Sequence, residues 1–303
     1  MAWKGVHLTK PARLSTTGNQ IVVAAEDGDV RLPLEDVAYI VLDTPQATLT
    51  SPLLSGCMEA GTVVIVTDRR HTPNGVLLPF HTHHRQAGVA ATQLAVTEPF
   101  RKRCWQKIVV AKIDNQAEHL RRAGRPGADG VAASARHVGS GDPDNIEARA
   151  ARDYWSALFD NFVRDDDGDL RNKLLNYGYA VMRAGVARAL VAYGLLPCVG
   201  LHHASTTNAF NLADDLLEPF RPFIDAVARE RVAGRPRTAD LALEDRRRLA
   251  GVLLDDARIG DEAMTTLAAT EAIVMSLVRA MEGNSAALLA LPAWPPSKIV
   301  DSP

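Results

Sequence analysis

Asn172-Lys173-Leu174-Leu175-Asn176-Tyr177-Gly178-Tyr179-Ala180 opens a run that stays apolar through Val191, until Gly194-Leu195-Leu196-Pro197 ends it. A helix that is apolar nearly all round leaves no solvated face, so it belongs at the centre of a helical domain. It hands the chain to Gly200-Leu201-His202-His203 and then to Asn208-Ala209-Phe210-Asn211-Leu212-Ala213-Asp214-Asp215-Leu216-Leu217-Glu218-Pro219-Phe220-Arg221-Pro222. Gly200 and the polar run from Ser205 to Asn208 break the period, which reads as a loop. Phe210, Leu212, Leu216 and Leu217 return at helical spacing, and Pro219, which has no N–H to give, is expected to stop that short helix. A histidine therefore precedes a helix that ends in acids, with Asp215 and Glu218 on one face of it. Imidazole nitrogen and carboxylate oxygens meeting at one point suit a divalent cation such as magnesium or manganese. They are equally the parts of an acid–base site. The plainer alternative is that the acids form a solvated face and the His-His pair a surface loop.

Working upstream, Gly139-Ser140-Gly141-Asp142-Pro143-Asp144-Asn145 is a loop, and a helix opens at Ile146-Glu147-Ala148-Arg149. Counted from Asp144, Glu147 stands where the glutamate of a capping box reaches back to the N-cap amide. A metal ligand at a helix start is the rival reading. Asp165-Asp166-Asp167-Gly168-Asp169 lacks the spacing and final glutamate of an EF-hand, so it reads as a solvated turn. Phe100 to Gln116 has apolar residues at helical spacing and a dense basic face that includes Arg101 and Lys102. That face suits either a phosphate backbone or plain solvation on a bundle helix.

The first eighty or so residues change period. Ile21 to Ala25 and Val30 to Leu34 flank Glu26-Asp27-Gly28-Asp29, a hairpin turn, and Val37 to Leu42 is an apolar run of strand length. Ser51-Pro52 to Gly61 is a short helix with Ser51 as its N-cap, and Thr62 to Val66 another buried strand. Pro79-Phe80-His81-Thr82-His83-His84-Arg85 reads as a connection. The fold class expected is α+β: a small β-rich domain (1–78), a linker (79–86) and a larger all-α domain (87–303), with the tail from Pro292 frayed. Exposed strand edges make the first domain a candidate dimer interface.

Composition bounds the function. Of 303 residues, 47% are hydrophobic and 23% charged, the proportions of a globular protein, and 5% aromatic is low for a binder that relies on base stacking. The net charge of -2 excludes a protein basic all over, so any nucleic-acid contact must be local. Cys57, Cys104 and Cys198 are odd in number and widely spaced, which gives neither a disulfide framework nor a thiolate zinc site. Met1-Ala2-Trp3-Lys4-Gly5 carries no signal-peptide core, and no apolar run reaches membrane-spanning length. A cytoplasmic protein without a membrane segment is the expectation.

Four stretches in order resemble one family: His137-x-x-x-Gly141-Asp142-x-x-Asn145-x-Glu147-Ala148-x-Ala150-Ala151; Asn172-x-x-Leu175-Asn176-Tyr177-Gly178-Tyr179; Gly200-x-x-His203; and Phe210-Asn211-Leu212-Ala213-x-Asp215-Leu216-x-Glu218-Pro219-Phe220-Arg221-Pro222. They are similar to the universal CRISPR-associated adaptation integrase, and Pro33-Leu34-Glu35-Asp36-Val37 with Ile113-x-Asn115-Gln116 resembles its form in type II systems. The resemblance implies a metal-dependent DNA integrase and endonuclease that inserts spacers by 3′-hydroxyl attack on a phosphodiester. It puts the ligands of Mg2+ or Mn2+ at Glu147, His203 and Glu218, with His202 and Asp215 as the alternatives to the latter two. It implies Arg149, Arg152, Arg221, Arg101 and Lys102 as phosphate contacts and Tyr177 beside the DNA end. The partners it implies are double-stranded DNA (protospacer and repeat), a second copy of the chain, a small second adaptation subunit, the type II effector nuclease and a ring-shaped accessory protein.

Overall fold

The computed structural model of the chain describes residues 3–79 and 83–296. Its first part contains β1 (Lys4–Leu8), β2 (Ala12–Thr17), β3 (Gln20–Ala25), β4 (Gly28–Pro33), β5 (Val37–Leu42), β6 (Ala47–Leu49), α1 (Ser51–Ala60), β7 (Val63–Thr67) and β8 (Pro73–Leu77). These strands make two four-stranded sheets, in the orders β1-β5-β7-β8 and β4-β3-β2-β6. The Asp27-Gly28 turn joins antiparallel β3 and β4, with Gly28 at φ 117, where a side chain would be strained. Helix α1 has Pro52 in its first turn and Gly61 as a left-handed cap at φ 70; its N-cap is Thr50, one residue before the expected Ser51.

All of β5 is buried because it serves two cores. Val37, Ile40 and Leu42 pack with Leu14, Leu53 and Val64 in the core of the β-rich part. Ala38, Tyr39 and Val41 point the other way and join the core of the helical part. A strand covered on both faces has no polar side to show, which is why Val37–Leu42 does not alternate in sequence.

The helical part contains α2 (Gln86–Ala95), α3 (Glu98–Arg122), α4 (Ala128–Ser134), α5 (Ile146–Leu158), α6 (Leu170–Ala192), α7 (Asn211–Leu217), α8 (Arg221–Val232), α9 (Leu243–Ala250), β9 (Asp256–Ile259), β10 (Glu262–Thr265), α10 (Thr266–Glu282) and β11 (Pro292–Ala293). Helix α6 is the central one, buried along most of its length and packed against α7, α8, α9, α10 and strands β7 and β8. A Cβ on Gly178 would lie 2.4 Å from Ile224 Cγ2, so glycine is what lets α6 and α8 approach.

Several expectations need correcting. The second part is mostly helical but not all-α, since β9, β10 and β11 form a three-stranded sheet in the order β10-β9-β11. The strands are only a few residues long; the turn signal between the first two is Gly260 at φ 60. The tail does not fray at Pro292: Pro292 pairs with Ile259, and Trp294 stacks on Phe223 at 4.1 Å. Pro219 does not stop the chain, because α7 runs through a 3-10 turn at Glu218–Phe220 straight into α8. Proline is tolerated there since the first amides of a helical turn have no intrahelical partner to lose. Of the expected linker, Phe80, His81 and Thr82 lie outside the described residues, and α2 already begins at Gln86.

One buried carboxylate ties the two parts together. Asp43, just after β5, accepts hydrogen bonds from His7 Nε2 (3.0 Å), His71 Nδ1 (2.6 Å), Thr67 Oγ1 (3.2 Å) and, from α9, Arg246 Nε (2.8 Å). Burial alone would push this carboxyl up, but the bonds from His7, His71 and Arg246 outweigh it and hold the acid below its usual range. Asp43→Ala is expected to cost about 3 kcal/mol near neutral pH, because it leaves the buried Arg246 without its carboxylate, with the Leu241 carbonyl as the acceptor that remains. A depressed carboxylate contributes above its unfolded pKa of about 3.9 and loses that contribution as pH falls through the folded value. Denaturant titrations of both proteins at pH 7 and at lower pH should therefore show the gap shrinking on acidification.

Candidate functional site

Helix α3 carries a buried stripe of Ile108, Val109, Lys112, Ile113, Gln116 and Ala117, spaced three or four apart. Lys112 sits in that stripe and not on the basic outer face. Its ammonium lies 2.5 Å from Glu147 Oε1 and 2.5 Å from Glu218 Oε2, while its side chain is 8% exposed. The lysine thus joins the first turn of α5 to the turn between α7 and α8. Arg221 Nε donates to the other oxygen, Glu218 Oε1, at 2.8 Å. Burial would push the Glu218 carboxyl up, but Arg221 and Lys112 reverse that and bring it down to about 2. Glu218 Oε2 accepts no hydrogen bond of proper direction; its neighbour is purely ionic.

Glu147 is free of capping duty. Asp142 caps α5 instead, its Oδ1 accepting from Ile146 N and its Oδ2 from Glu147 N, both at 2.9 Å. The N-cap position itself belongs to Asn145, which has left-handed backbone at φ 51. The Glu147 side chain is left to face Lys112.

The loop that carries the histidines is pinned from below. Gln93 of α2 bonds Leu196 O, Val199 O and Leu196 N, and Asn211 bonds Cys198 O and Ser205 O. Asp215 is fully buried and takes the amides of Leu201, His202 and His203 as well as His203 Nδ1, the last at 2.7 Å. Gly200 lies so close that a Cβ there would meet His203 O at 2.3 Å. Asp215 is therefore committed to holding the loop and orienting one imidazole. The bond from Asp215 is the main reason that the His203 pKa is raised, with Glu218 adding to it. The arrangement leaves His203 Nε2 as the nitrogen available to a ligand. His202 is spent otherwise, stacked on Trp105 with ring centroids 4.1 Å apart.

The two glutamates line a cavity of about 220 Å³ together with Lys112, Arg221, Arg164, Tyr179 and Asp225. His203 is not among its lining residues. Among the described residues no three His, Cys, Asp or Glu side chains stand close enough together to hold an ion.

The remaining candidates divide. Arg149 and Arg152 are exposed on α5, and the Arg149 guanidinium donates to the carbonyl of Asp144. Lys102 is exposed at the head of α3 and paired with Glu98, beside the half-buried Arg101. Arg221 stacks on Tyr179 at 4.4 Å, its charge already engaged by Glu218. Tyr177 is the one displaced: it is 1% exposed, so it is core and not a DNA contact. Lys112, Arg164 and Asp225 were missed. For Lys112 the signal was available, since a lysine in register with an apolar stripe needs a buried partner.

The profile described as CRISPR associated protein Cas1 matches residues 6–259, which makes the chain a member of that family. It is 36% identical over 300 residues to the CRISPR-associated endonuclease Cas1 of Neisseria meningitidis serogroup C, covering 98% of both chains. The fold is shared with a casposase bound to its integration product, at a TM-score of 0.72 and 17% identity over 94% of this chain and 92% of that one. It is shared also with a chain of the Cas6-RT-Cas1–Cas2 complex, at a TM-score of 0.69 and 18% identity over 94% of this chain and 36% of that one. No helix among the described residues is long and apolar enough to cross a membrane.

Proposed function

We propose that the chain is a metal-dependent DNA integrase and endonuclease of CRISPR adaptation, which inserts new spacer DNA into the repeat array. The observation that most supports this is the convergence of Glu147 and Glu218 on one cation position, with His203 oriented by a buried aspartate. The residues fit Mg2+ or Mn2+ in kind: two hard carboxylates and an imidazole. Glu218 Oε2 is buried against the Lys112 ammonium at 2.5 Å, so this position already accommodates a cation. A divalent ion bound there would polarise a phosphoryl oxygen and stabilise the charge that develops on it.

This chain's own residues do the rest. Asp215 fixes the His203 ring so that Nε2 faces outward from a locked tautomer. Arg221, held between Glu218 and the Tyr179 ring, keeps Glu218 in place and ionised. Arg149 and Arg152 on α5, with Arg101 and Lys102 on α3, offer side chains to the phosphates of the two duplexes. The 3′-oxygen of the incoming strand forms the new phosphodiester as the old 3′-oxygen leaves with a proton, so like bonds are exchanged and no nucleotide triphosphate is consumed. Water in place of that hydroxyl turns the same site into a nuclease. The partners in this reading are double-stranded DNA (protospacer and repeat), a second copy pairing through the exposed strands of the β-rich part, and the small second adaptation subunit. The type II effector nuclease and a ring-shaped accessory protein complete the assembly.

The test is a strand-transfer assay. The protein, with and without its small partner, receives a short duplex with free 3′-hydroxyls and a supercoiled plasmid that carries a repeat. Joined product in Mn2+ that disappears with a chelator is the expected outcome. Cleavage without joining would instead indicate a repair nuclease of broader range, and binding without any chemistry a DNA scaffold.

A further inference from the structure

Lys112 lies inside the apolar stripe of the longest helix, 7% exposed, where an unpaired ammonium would be very costly. Its two partners come from distant parts of the chain, and among the described residues no other cation touches both. The lysine thereby stands where a divalent ion would, with Glu147 and Glu218 around a single positive centre. The cavity is also balanced in charge as it stands: Glu147, Glu218 and Asp225 face Lys112, Arg221 and Arg164. Adding a dication to a balanced, largely buried cluster leaves excess charge in a poorly screening surrounding unless a positive group withdraws. Arg221 is braced by the Tyr179 ring, whereas Lys112 has a flexible stem and makes its ionic contacts with the oxygens that the ion would take.

We propose that Lys112 is a positioning residue that acts as an exchangeable placeholder: it keeps the two glutamates together in the absence of metal, and a divalent ion enters by displacing its ammonium. The proposal rests on the metal-site reading above. It makes metal affinity the net result of an exchange, and so assigns Lys112 the role of setting how much Mn2+ or Mg2+ the protein needs.

Calorimetric titration of Mn2+ into the full chain, the Lys112→Met and Lys112→Arg variants and Glu147→Ala tests it. Lys112→Met, which keeps the stem and removes the charge, should bind Mn2+ about tenfold more tightly than the parent. It should also melt at a lower temperature without metal and recover most of that loss in saturating Mn2+. Lys112→Arg retains a competing charge and should bind no more tightly than the parent. In the unmutated protein, labelling of Lys112 by an amine acylating reagent, read by mass spectrometry, should rise when Mn2+ is added; this readout does not depend on how any variant folds. Unchanged or weaker Mn2+ binding by folded Lys112→Met, or labelling indifferent to Mn2+, would overturn the placeholder role. If Glu147→Ala binds Mn2+ as well as the parent, the metal site itself is wrong and the placeholder falls with it. Loss of binding in Glu147→Ala alongside an unchanged Lys112→Met would sink the placeholder alone.

Discussion

Glu147→Ala is expected to abolish DNA joining, with a loss on the order of 100- to 1000-fold, while the protein stays folded. The side chain is 27% exposed, caps nothing, and makes its one ionic contact with Lys112, which keeps Glu218 as a partner. Lys112 keeps Glu218 but the cluster is left with one excess positive charge, so thermal stability should fall by about 1–2 kcal/mol without unfolding the protein. It does remove one of the two carboxylates that converge on the Lys112 ammonium, where the proposed ion would bind. Plasmid integration measured beside a melting curve separates the two effects. Activity near the parent's would remove Glu147 from the site, and a collapsed melting curve would make it structural.

Asp215→Ala should do the opposite in one respect: it should lose activity and stability together. Four donors end on this single buried carboxylate, three of them backbone amides of consecutive residues. The buried Leu201 amide left unpaired costs about 1–3 kcal/mol and the part-buried amides of His202 and His203 add to it, so a total loss of about 3 kcal/mol is expected. The loop from Gly200 to His203 would also lose its anchor, and with it the orientation of the imidazole. Denaturant unfolding of Asp215→Ala and His203→Ala distinguishes the roles: both should fail to join DNA, but only Asp215→Ala should be strongly destabilised. A stable Asp215→Ala would show that the loop is held by Gln93 and Asn211 alone.

Asp215 also illustrates what was legible in the sequence. The spacing of Asp215 and Glu218 placed both on one short helix, and family resemblance singled out Glu147, His203 and Glu218. What spacing does not carry is the return path of the loop ahead of the helix. That path puts three amides on Asp215, while the turn after α7 sends Glu218 towards α3. The capping reading of Glu147 failed for a similar reason, since Asn145 takes a left-handed conformation and lets Asp142 cap across the loop.

The fold was read well where period or turn chemistry was strong, as in the Asp27-Gly28 hairpin, α1 and the central α6. It was read poorly where elements are short or their stability is tertiary. Strand β11 is Pro292–Ala293 alone, and it exists because Trp294 finds Phe223 and the carbonyl of Asn115 far away in sequence. Lys112 was not singled out because its partners lie 35 and 106 positions further on, invisible to any local window.

The most direct test of the metal site is a crystal structure of the protein grown in Mn2+, with anomalous diffraction used to find the ion. One strong anomalous peak per chain is expected, bounded by Glu147, His203 Nε2 and Glu218, with the Lys112 ammonium withdrawn from at least one carboxylate. An ion bound elsewhere, or none at saturating Mn2+ with Lys112 still bridging Glu147 and Glu218, would contradict it.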